Sequence, residues 1–360
     1  LIISDCINSY KIGGGARTSV INFIETFKDK IDLTYISLEF LGQKNYTLEN
    51  NPAVNGVEGF YPLSKLSCIA FLTRRIINQD DEIFYLNGFY SKYGSLIPLI
   101  LIKMFGLFTT VPQLVVAPRG GVSSGALAIK SKRKIIYFKF LKLFGFLRGV
   151  RFHVVSEMEK DDLCAIIGEQ YRQLCFTAAN VVVSRPVIKE DDIRSSNNPL
   201  RLAFLARIHP IKNLQFLANV LENIDAYVEL DIYGTVDDQK YLDKSILAFD
   251  TVKNRIKVRF CGEVHQSRVV SVLSKYDLYL LPTLGENFGH TIFESLNART
   301  PVLVSDKTPW RGKEFEGLWD LCIESPDLWR KKIIEYYHMS DEEKHKLRDK
   351  AGQSAVKWVK

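Results

Sequence analysis

Leu280-Leu-Pro-Thr-Leu-Gly-Glu-Asn-Phe-Gly-His-Thr-Ile-Phe-Glu-Ser-Leu-Asn-Ala-Arg-Thr-Pro-Val-Leu-Val304 is the stretch on which the reading of the fold turns. The apolar run Leu278 to Leu281 is short enough for a buried strand of a parallel sheet. A turn rich in Pro and Gly follows, from Pro282 to Gly289. From about His290, Ile292, Phe293 and Leu296 recur at the three-to-four spacing of a buried helical stripe. Pro301-Val-Leu-Val304 returns as a second strand. The pattern predicts a strand–loop–helix–strand unit with Glu286 on its loop and Glu294 on its helix.

Such a unit suits a particular chemistry. The first free N–H groups of the helix, around Phe288 to His290, make an anion site, and Gly289 lets backbone approach a phosphate closely. Ionised Glu286 and Glu294 only accept hydrogen bonds. Two acceptors flanking a phosphate cradle fit a ligand with hydroxyls on both sides of a diphosphate, which describes a nucleotide sugar. From the residues alone, an ordinary helix with a solvated loop Glu and a Glu on its polar face reads equally well.

Glu286-Asn-Phe-Gly-His-Thr-Ile-Phe-Glu294 resembles the Glu–seven residues–Glu motif of retaining glycosyltransferases with the GT-B fold, closest to family 4 (glycosyl transferases group 1). The resemblance implies that Glu286 touches hydroxyls of the donor sugar and Glu294 the ribose, with Asn287, Phe288, Gly289 and His290 in the donor site between them. It implies a fold of two Rossmann-like domains facing a central cleft. Arg207-Ile-His-Pro-Ile-Lys-Asn213 resembles the family's Gly-Arg…Lys-Asn element, with Ala206 in place of the usual Gly. There Arg207 and Lys212 are expected to bind the diphosphate as it leaves. On residues alone they are two cations across a strand-to-helix turn, able to converge on one anion or to be solvated. Thr308-Pro-Trp-Arg311 recurs in bacterial members that build surface polysaccharides.

A chain of 360 residues, 46% hydrophobic, is long enough for two well-formed cores. A net charge of +7 favours an acidic partner without choosing among phosphate-bearing substrates, anionic lipid and nucleic acid. The six cysteines are scattered, with no Cys-x-x-Cys pair, and read as reduced core residues of a cytosolic protein. The most hydrophobic window, Leu96 to Phe108, is broken by Pro98 and Lys103 and is too short to span a bilayer. A soluble, cytoplasmic protein is expected.

The first half alternates strand and helix signals. Strands are expected at Leu1–Ser4, Leu33–Ile36, Ile83–Leu86, Leu114–Ala117, Arg151–Val155 and Val181–Val183. Helices are expected around Leu63–Ile77, Leu96–Phe105, Ile129–Phe144 and Glu157–Ile167. Such alternation argues for a doubly wound α/β sheet whose ligands sit at the carboxyl ends of the strands. Lys11-Ile-Gly-Gly-Gly-Ala-Arg17 is a glycine loop that fails the dinucleotide fingerprint, since Thr18 holds the third Gly position. By the family resemblance, Gly14 and Gly15 face the donor phosphates. Asn87 and Arg119 stand where family members often place a histidine, which makes them candidate acceptor-side residues. Arg119 reads either as a bidentate ligand for phosphate or carboxylate or as a loop-fixing arginine.

Residues 130–148, basic and strongly amphipathic with interleaved aromatics, have three open readings: nucleic acid, a core helix with a solvated basic face, and peripheral inner-membrane contact. No nucleic-acid motif accompanies them. In the second half, Asn180 to Pro186 is the expected hinge, and Arg201–Ala206 opens a second sheet. Tyr227–Ile232 and Ile256–Phe260 are further strands. By resemblance, the loop carrying Gly262 and Val264 lies against the nucleobase. His209 and His265 read as turn residues. No Asp-x-Asp triplet occurs, so no metal is expected, nor any cofactor beside a UDP- or GDP-sugar used as substrate.

The expectation is a GT-B enzyme with an acceptor-binding domain over 1–183 and a nucleotide-sugar domain over 184–342. A last helix, about 343–360, is expected to pack back on the first domain. It would transfer a sugar, with retention, to a glycan or lipid-linked saccharide in bacterial polysaccharide synthesis. A nucleotide-sugar 2-epimerase of the same fold and a non-catalytic membrane-docked scaffold are the rivals.

Overall fold

The computed structural model describes residues 1–5, 14–39, 41, 54–107, 110–122, 131–183, 199–252 and 256–359. The chain divides into two compact units, Leu1–Val182 and Val183–Lys360. Residues 184–186 of the expected hinge, Lys11–Gly13 of the glycine loop, Cys6 and Lys130 lie outside the described residues.

In the first unit β1 (Ile2–Ser4), α1 (Gly15–Phe27), β2 (Thr34–Ser37), β3 (Glu58–Phe60), α2 (Lys65–Asn78), β4 (Ile83–Asn87), α3 (Ile97–Phe105), β5 (Gln113–Ala117), α4 (Ser131–Leu143), β6 (Arg151–Val154), α5 (Glu157–Ile167) and β7 (Cys175–Thr177) follow in order. The strands form one parallel sheet in the order β3-β2-β1-β4-β5-β6-β7. Two helices of this unit start at a serine whose side chain satisfies free N–H groups. Ser64 and Ser67 exchange hydrogen bonds as a capping box for α2, and Ser156 accepts Glu159 N–H at α5 (3.2 Å). Ile3, Phe84, Leu86, Val116 and Phe152 are buried with apolar helix faces against them, which explains why these strands read as continuous apolar runs.

Two details correct the expectation. Val181–Val183 is not a strand; β7 fills the sheet edge instead, and Val181 gives its carbonyl to Asn22 Nδ2 (3.0 Å). β3 was missed because Glu-Gly-Phe is too short and too polar to carry a strand pattern.

The second unit runs β8 (Leu200–Leu205), α6 (Leu214–Leu221), β9 (Val228–Tyr233), α7 (Gln239–Asp250), β10 (Lys257–Gly262), α8 (Val269–Leu273), β11 (Leu278–Leu281), α9 (His290–Asn297), β12 (Val302–Ser305), β13 (Leu318–Leu321), α10 (Pro326–His338) and α11 (Asp341–Val359). Its six strands are parallel in the order β10-β9-β8-β11-β12-β13. The first strand's two neighbours lie on opposite sides of it, the strand-order reversal at which open α/β sheets hold ligands. Both units are Rossmann-like α/β domains.

The last helix groups with the second unit. Arg348 donates to the carbonyls of Tyr276 (2.7 Å) and Ser274 (2.9 Å), and Lys350 pairs with Glu316 (2.6 Å). Trp358 stacks on buried Trp310 at 4.6 Å between ring centres and also meets Phe288 and Phe315. Cys261 and Cys322 are exposed, so not all the cysteines are core residues. Among the described residues, no helix is long and apolar enough to cross a membrane.

Trp310 therefore anchors both α11 and the loop before α9. Trp310→Ala is expected to cost about 3–5 kcal/mol and to lower the melting temperature in a calorimetric scan. An unchanged melting temperature would contradict the packing described.

Candidate active site

Short backbone ties bring the two motifs of the second unit together. Pro210–Lys212 is a single 3₁₀ turn capped by His209, whose Nδ1 accepts Ile211 N–H (3.3 Å). Burial, with Arg207 nearby, lowers the pKa of His209, so a neutral ring performs this cap. His265 caps the 266–268 turn in the same way, accepting Ser267 N–H (3.3 Å). The Ile211 carbonyl receives Leu284 N–H (2.7 Å) and the Thr283 hydroxyl (3.0 Å) from the loop after β11. Glu286 N–H is held in turn by the Lys307 carbonyl (3.1 Å).

The consequence is an ion pair between Lys212 Nζ and Glu286 Oε2, with side chains 12% and 16% exposed. An ammonium has three donors, so pairing with one carboxylate oxygen leaves the group able to hold a second anion.

Immediately beyond Glu286, Gly289 caps α9 in a left-handed conformation (φ 80°). That backbone favours glycine, and a Cβ there would also press on Ile292 Cδ1 (2.6 Å) and Glu286 Cγ (3.2 Å). Phe288 and His290 are buried beside it, their ring centres 4.8 Å apart, and the Trp310 indole N–H donates to the Phe288 carbonyl. Asn287 is half-buried at the mouth of this loop. Tyr279, buried under the helix, donates to the Leu205 carbonyl (3.0 Å), which leaves its oxygen to accept from the Thr291 hydroxyl (2.8 Å).

Glu294, a turn into α9, accepts from Gln266 Nε2, which ties it to the segment that follows Gly262 and Val264 at the end of β10. Gly262 is also left-handed (φ 75°), and its carbonyl accepts Gly234 N–H (2.8 Å). Arg207 leaves β8 and meets Asp237 at 2.5 Å; its side chain is half-exposed. Lys212, Glu286 and the start of α9 are thus one cluster. Arg207 and Glu294 leave the same carboxyl edge of the same sheet, each held by a partner that the sequence reading missed. Asp237 follows the Gly234 turn and Gln266 follows Gly262, and both lie on the strand-end edge where ligands collect; that position is the signal that was available.

In the first unit Gly14 caps α1 and Gly15 is its first residue. Asn87 ends β4, giving Nδ2 hydrogens to Ser4 Oγ (3.2 Å) and the Ala16 carbonyl (3.1 Å). Arg119, left-handed at φ 54°, donates to Asn87 Oδ1 (2.6 Å), to Asn180 Oδ1 and to the Tyr85 hydroxyl (2.8 Å). Tyr85 in turn contacts His153 Nδ1 (2.6 Å), while His153 Nε2 faces the Ala178 carbonyl (2.8 Å). A carbonyl can only accept, so Nε2 carries the proton and Nδ1 accepts from Tyr85. Tyr85 oxygen is left to accept from Arg119. All three acceptors on the guanidinium are therefore neutral, and no carboxylate among the described residues lies within ion-pair reach of it. Glu159, its pKa raised by burial, takes Gly120 N–H and Val155 N–H (2.9 Å each) and fixes the loop from below. Tyr85, Asn180 and His153 were not singled out from sequence, because each sits in a strand or loop with no motif around it.

Residues 188–358 match the family model described as Glycosyl transferases group 1. That match spans nearly all of the second unit. Over 172 residues the chain is 24% identical to the O-antigen chain mannosyltransferase RfbU of Salmonella typhimurium, covering 48% of this chain and 46% of that protein. The chain thus matches about half the length of this curated relative. Solved structures that resemble the whole chain include Anabaena Alr3699/HepE in complex with UDP-glucose, with a TM-score of 0.71 at 15% identity over 99% of this chain and 94% of that one. The lipopolysaccharide outer core galactosyltransferase WaaB in its apo form gives 0.60 at 15% identity, covering 99% and 98%. These likenesses fix the two-domain fold of GT-B glycosyltransferases.

The hydrogen-bond order around Arg119 has a measurable signature. Burial and the neighbouring guanidinium push His153 down to about 4 from its ordinary 6.5. Because the folded value lies below the unfolded one, His153 contributes stability that is complete above about pH 6.5 and is lost as pH falls toward 4. An NMR titration of the His153 ring is expected to show a midpoint near 4 with the proton on Nε2. A midpoint near 6.5 would contradict the network.

Proposed function

We propose that the chain transfers a sugar from a nucleotide-diphosphate sugar to a glycan or lipid-linked saccharide acceptor, with retention of anomeric configuration. The observation that carries this reading is the Lys212–Glu286 pair, held beside the left-handed Gly289 start of α9 with Arg207 and Glu294 on the same sheet edge. RfbU, a mannosyltransferase, HepE, solved in complex with UDP-glucose, and WaaB, a galactosyltransferase, support the choice of a nucleotide sugar.

In this proposal the diphosphate lies against the N-terminus of α9, with Lys212 and Arg207 as its cations. Lys212 uses donors that Glu286 does not occupy. Arg207 exchanges Asp237 for phosphate at small cost, because ion pairs this exposed contribute at most about 1 kcal/mol. Glu286 accepts from hydroxyls of the transferred sugar and Glu294 from the ribose; Gly262 and Val264 pass along the base, with Asn287, Phe288 and His290 shaping the donor pocket. The bond from the anomeric carbon to the phosphate oxygen breaks, and the leaving charge is stabilised by the two cations and the helix dipole. The acceptor hydroxyl bonds to the anomeric carbon on the face the phosphate leaves, and its proton passes to a departing phosphate oxygen. No enzyme nucleophile enters the scheme. Asn87 and Arg119 are assigned to the acceptor, and the donor role of Gly14 and Gly15 rests on family resemblance alone.

Lys212→Ala is expected to lower turnover by at least ~100-fold, the cost of losing one charge-stabilising donor. Turnover is to be followed by nucleotide release from a UDP- or GDP-sugar panel with acceptor. Near-normal turnover in the folded variant would refute the assignment, and turnover without acceptor would favour epimerisation or hydrolysis.

A further inference from the structure

Charge is distributed very unevenly along this chain. Between Ile83 and Ser156 there is no Asp or Glu, while eleven Lys and Arg residues occur. The whole chain is only +7, so everything outside this stretch is net −4. The stretch runs from β4 to β6 and includes α3 and α4 of the first unit.

Its solvent side is also unusually apolar. α4 buries Phe138 and Leu141 in the core and ties its inner side to the fold through Tyr137, whose hydroxyl donates to the Phe89 carbonyl (2.9 Å). An ordinary surface helix would be polar on the opposite side. Here Ile136 is 66% exposed, Leu143 80% and Phe144 62%. Exposed Lys139 and Lys142 are interleaved with them. The helix is therefore apolar on two sides and not amphipathic in the simple sense expected from its sequence. Phe140, Phe144 and Phe146 form an aromatic cluster at its end, with ring centres 4.8–6.2 Å apart. The Lys103 ammonium donates to the Arg148 carbonyl, which joins the end of α3 to this corner, and α3 adds Met104 and Leu107, the latter 79% exposed.

We propose that this corner of the first unit, built from the outer side of α4, the 144–148 turn and the end of α3, is a docking surface for an anionic lipid bilayer. Leu107, Leu143 and Phe144 enter the boundary between headgroups and acyl chains. Lys139, Lys142 and Arg148 pair with lipid phosphates at the depth where lysine and arginine stems reach from an apolar bed to charged headgroups. Charge complementarity selects this occupant. A second copy of the chain would bring the same acid-free surface, and two such faces repel. Single-stranded nucleic acid needs a row of free ring faces, whereas Phe140, Phe144 and Phe146 pack on one another at one end of the surface and Leu107, Ile136 and Leu143 are aliphatic. Lys134, in the first turns of α4, donates to the Gly121 carbonyl (3.2 Å), so the docked helix is tied directly to the Arg119 loop. A lipid-borne anionic acceptor would arrive at the guanidinium held by neutral partners. The docking surface itself stands independently of the transfer reading.

Co-sedimentation of the full chain with vesicles tests this. Vesicles of phosphatidylcholine containing phosphatidylglycerol are expected to pellet the protein, vesicles of phosphatidylcholine alone are not, and high salt should weaken the binding. Lys139→Glu/Lys142→Glu is expected to reduce binding at least ~10-fold, and Leu143→Ser/Phe144→Ser to weaken it as well, both with unchanged melting temperature. No pelleting, or equal pelleting with neutral vesicles, would overturn the proposal. So would binding that survives both double substitutions. A dimer in solution that either pair of substitutions converts to monomer would assign the surface to a second copy instead. Donor turnover measured with a water-soluble acceptor is expected to be unaffected in these variants, which separates failure of docking from failure of the catalytic assignment.

Discussion

The ammonium of Lys212 is held against the carboxylate of Glu286 by two pieces of chain that are 74 residues apart. Neither side chain positions itself. The 3₁₀ turn at 210–212 supplies one carbonyl, Ile211, and the loop after β11 hangs its Leu284 amide and Thr283 hydroxyl on it. β8 and β11 are neighbours in the sheet, so a tie of this length is possible only at their common carboxyl end. The proposed chemistry depends on this constraint. A flexible lysine pays side-chain entropy to find an anion, whereas a lysine already fixed beside a helix start pays little.

Much of that arrangement was legible in the residues. A short apolar strand, a Pro/Gly turn, a helical stripe and a returning strand predicted the unit over 278–304, and its elements fall at Leu278–Leu281, His290–Asn297 and Val302–Ser305. These succeeded because buried parallel strands leave an uninterrupted apolar trace and the left-handed cap at Gly289 leaves a glycine. Partners that act through a single hydrogen bond across the sheet leave no such trace. Asp237 on Arg207 and Gln266 on Glu294 are polar residues in polar loops, indistinguishable by type from their neighbours. The packing of the last helix was hidden for a similar reason: its charged sequence shows where a helix is, while Trp358 against Trp310 ties it to the second unit.

The first unit uses its polar residues differently. Arg119 adopts a left-handed backbone that costs a non-glycine residue free energy, and its guanidinium meets only neutral acceptors. The tautomer of His153 orients Tyr85, and Tyr85 orients the arginine, so a positive charge is kept in place by neutral hydrogen-bond partners, with the Glu159 carboxylate on the neighbouring amide and not on the guanidinium. The run from β4 to β6 carries no acid, so the corner built from α3 and α4 is cationic. The second unit instead pairs its cations with its own carboxylates, Lys212 with Glu286 and Arg207 with Asp237. A mobile nucleotide can exchange for such partners, and a surface meant for a fixed anionic layer has no use for them.

The central claim is spatial and is tested most directly by a crystal structure of the protein soaked with a nucleotide sugar. The account predicts the diphosphate at the first amides of α9, within hydrogen-bond reach of Lys212 and Arg207, with the sugar on Glu286 and the ribose on Glu294. A diphosphate bound elsewhere, with Lys212 and Arg207 still held only by their own carboxylates, would contradict it.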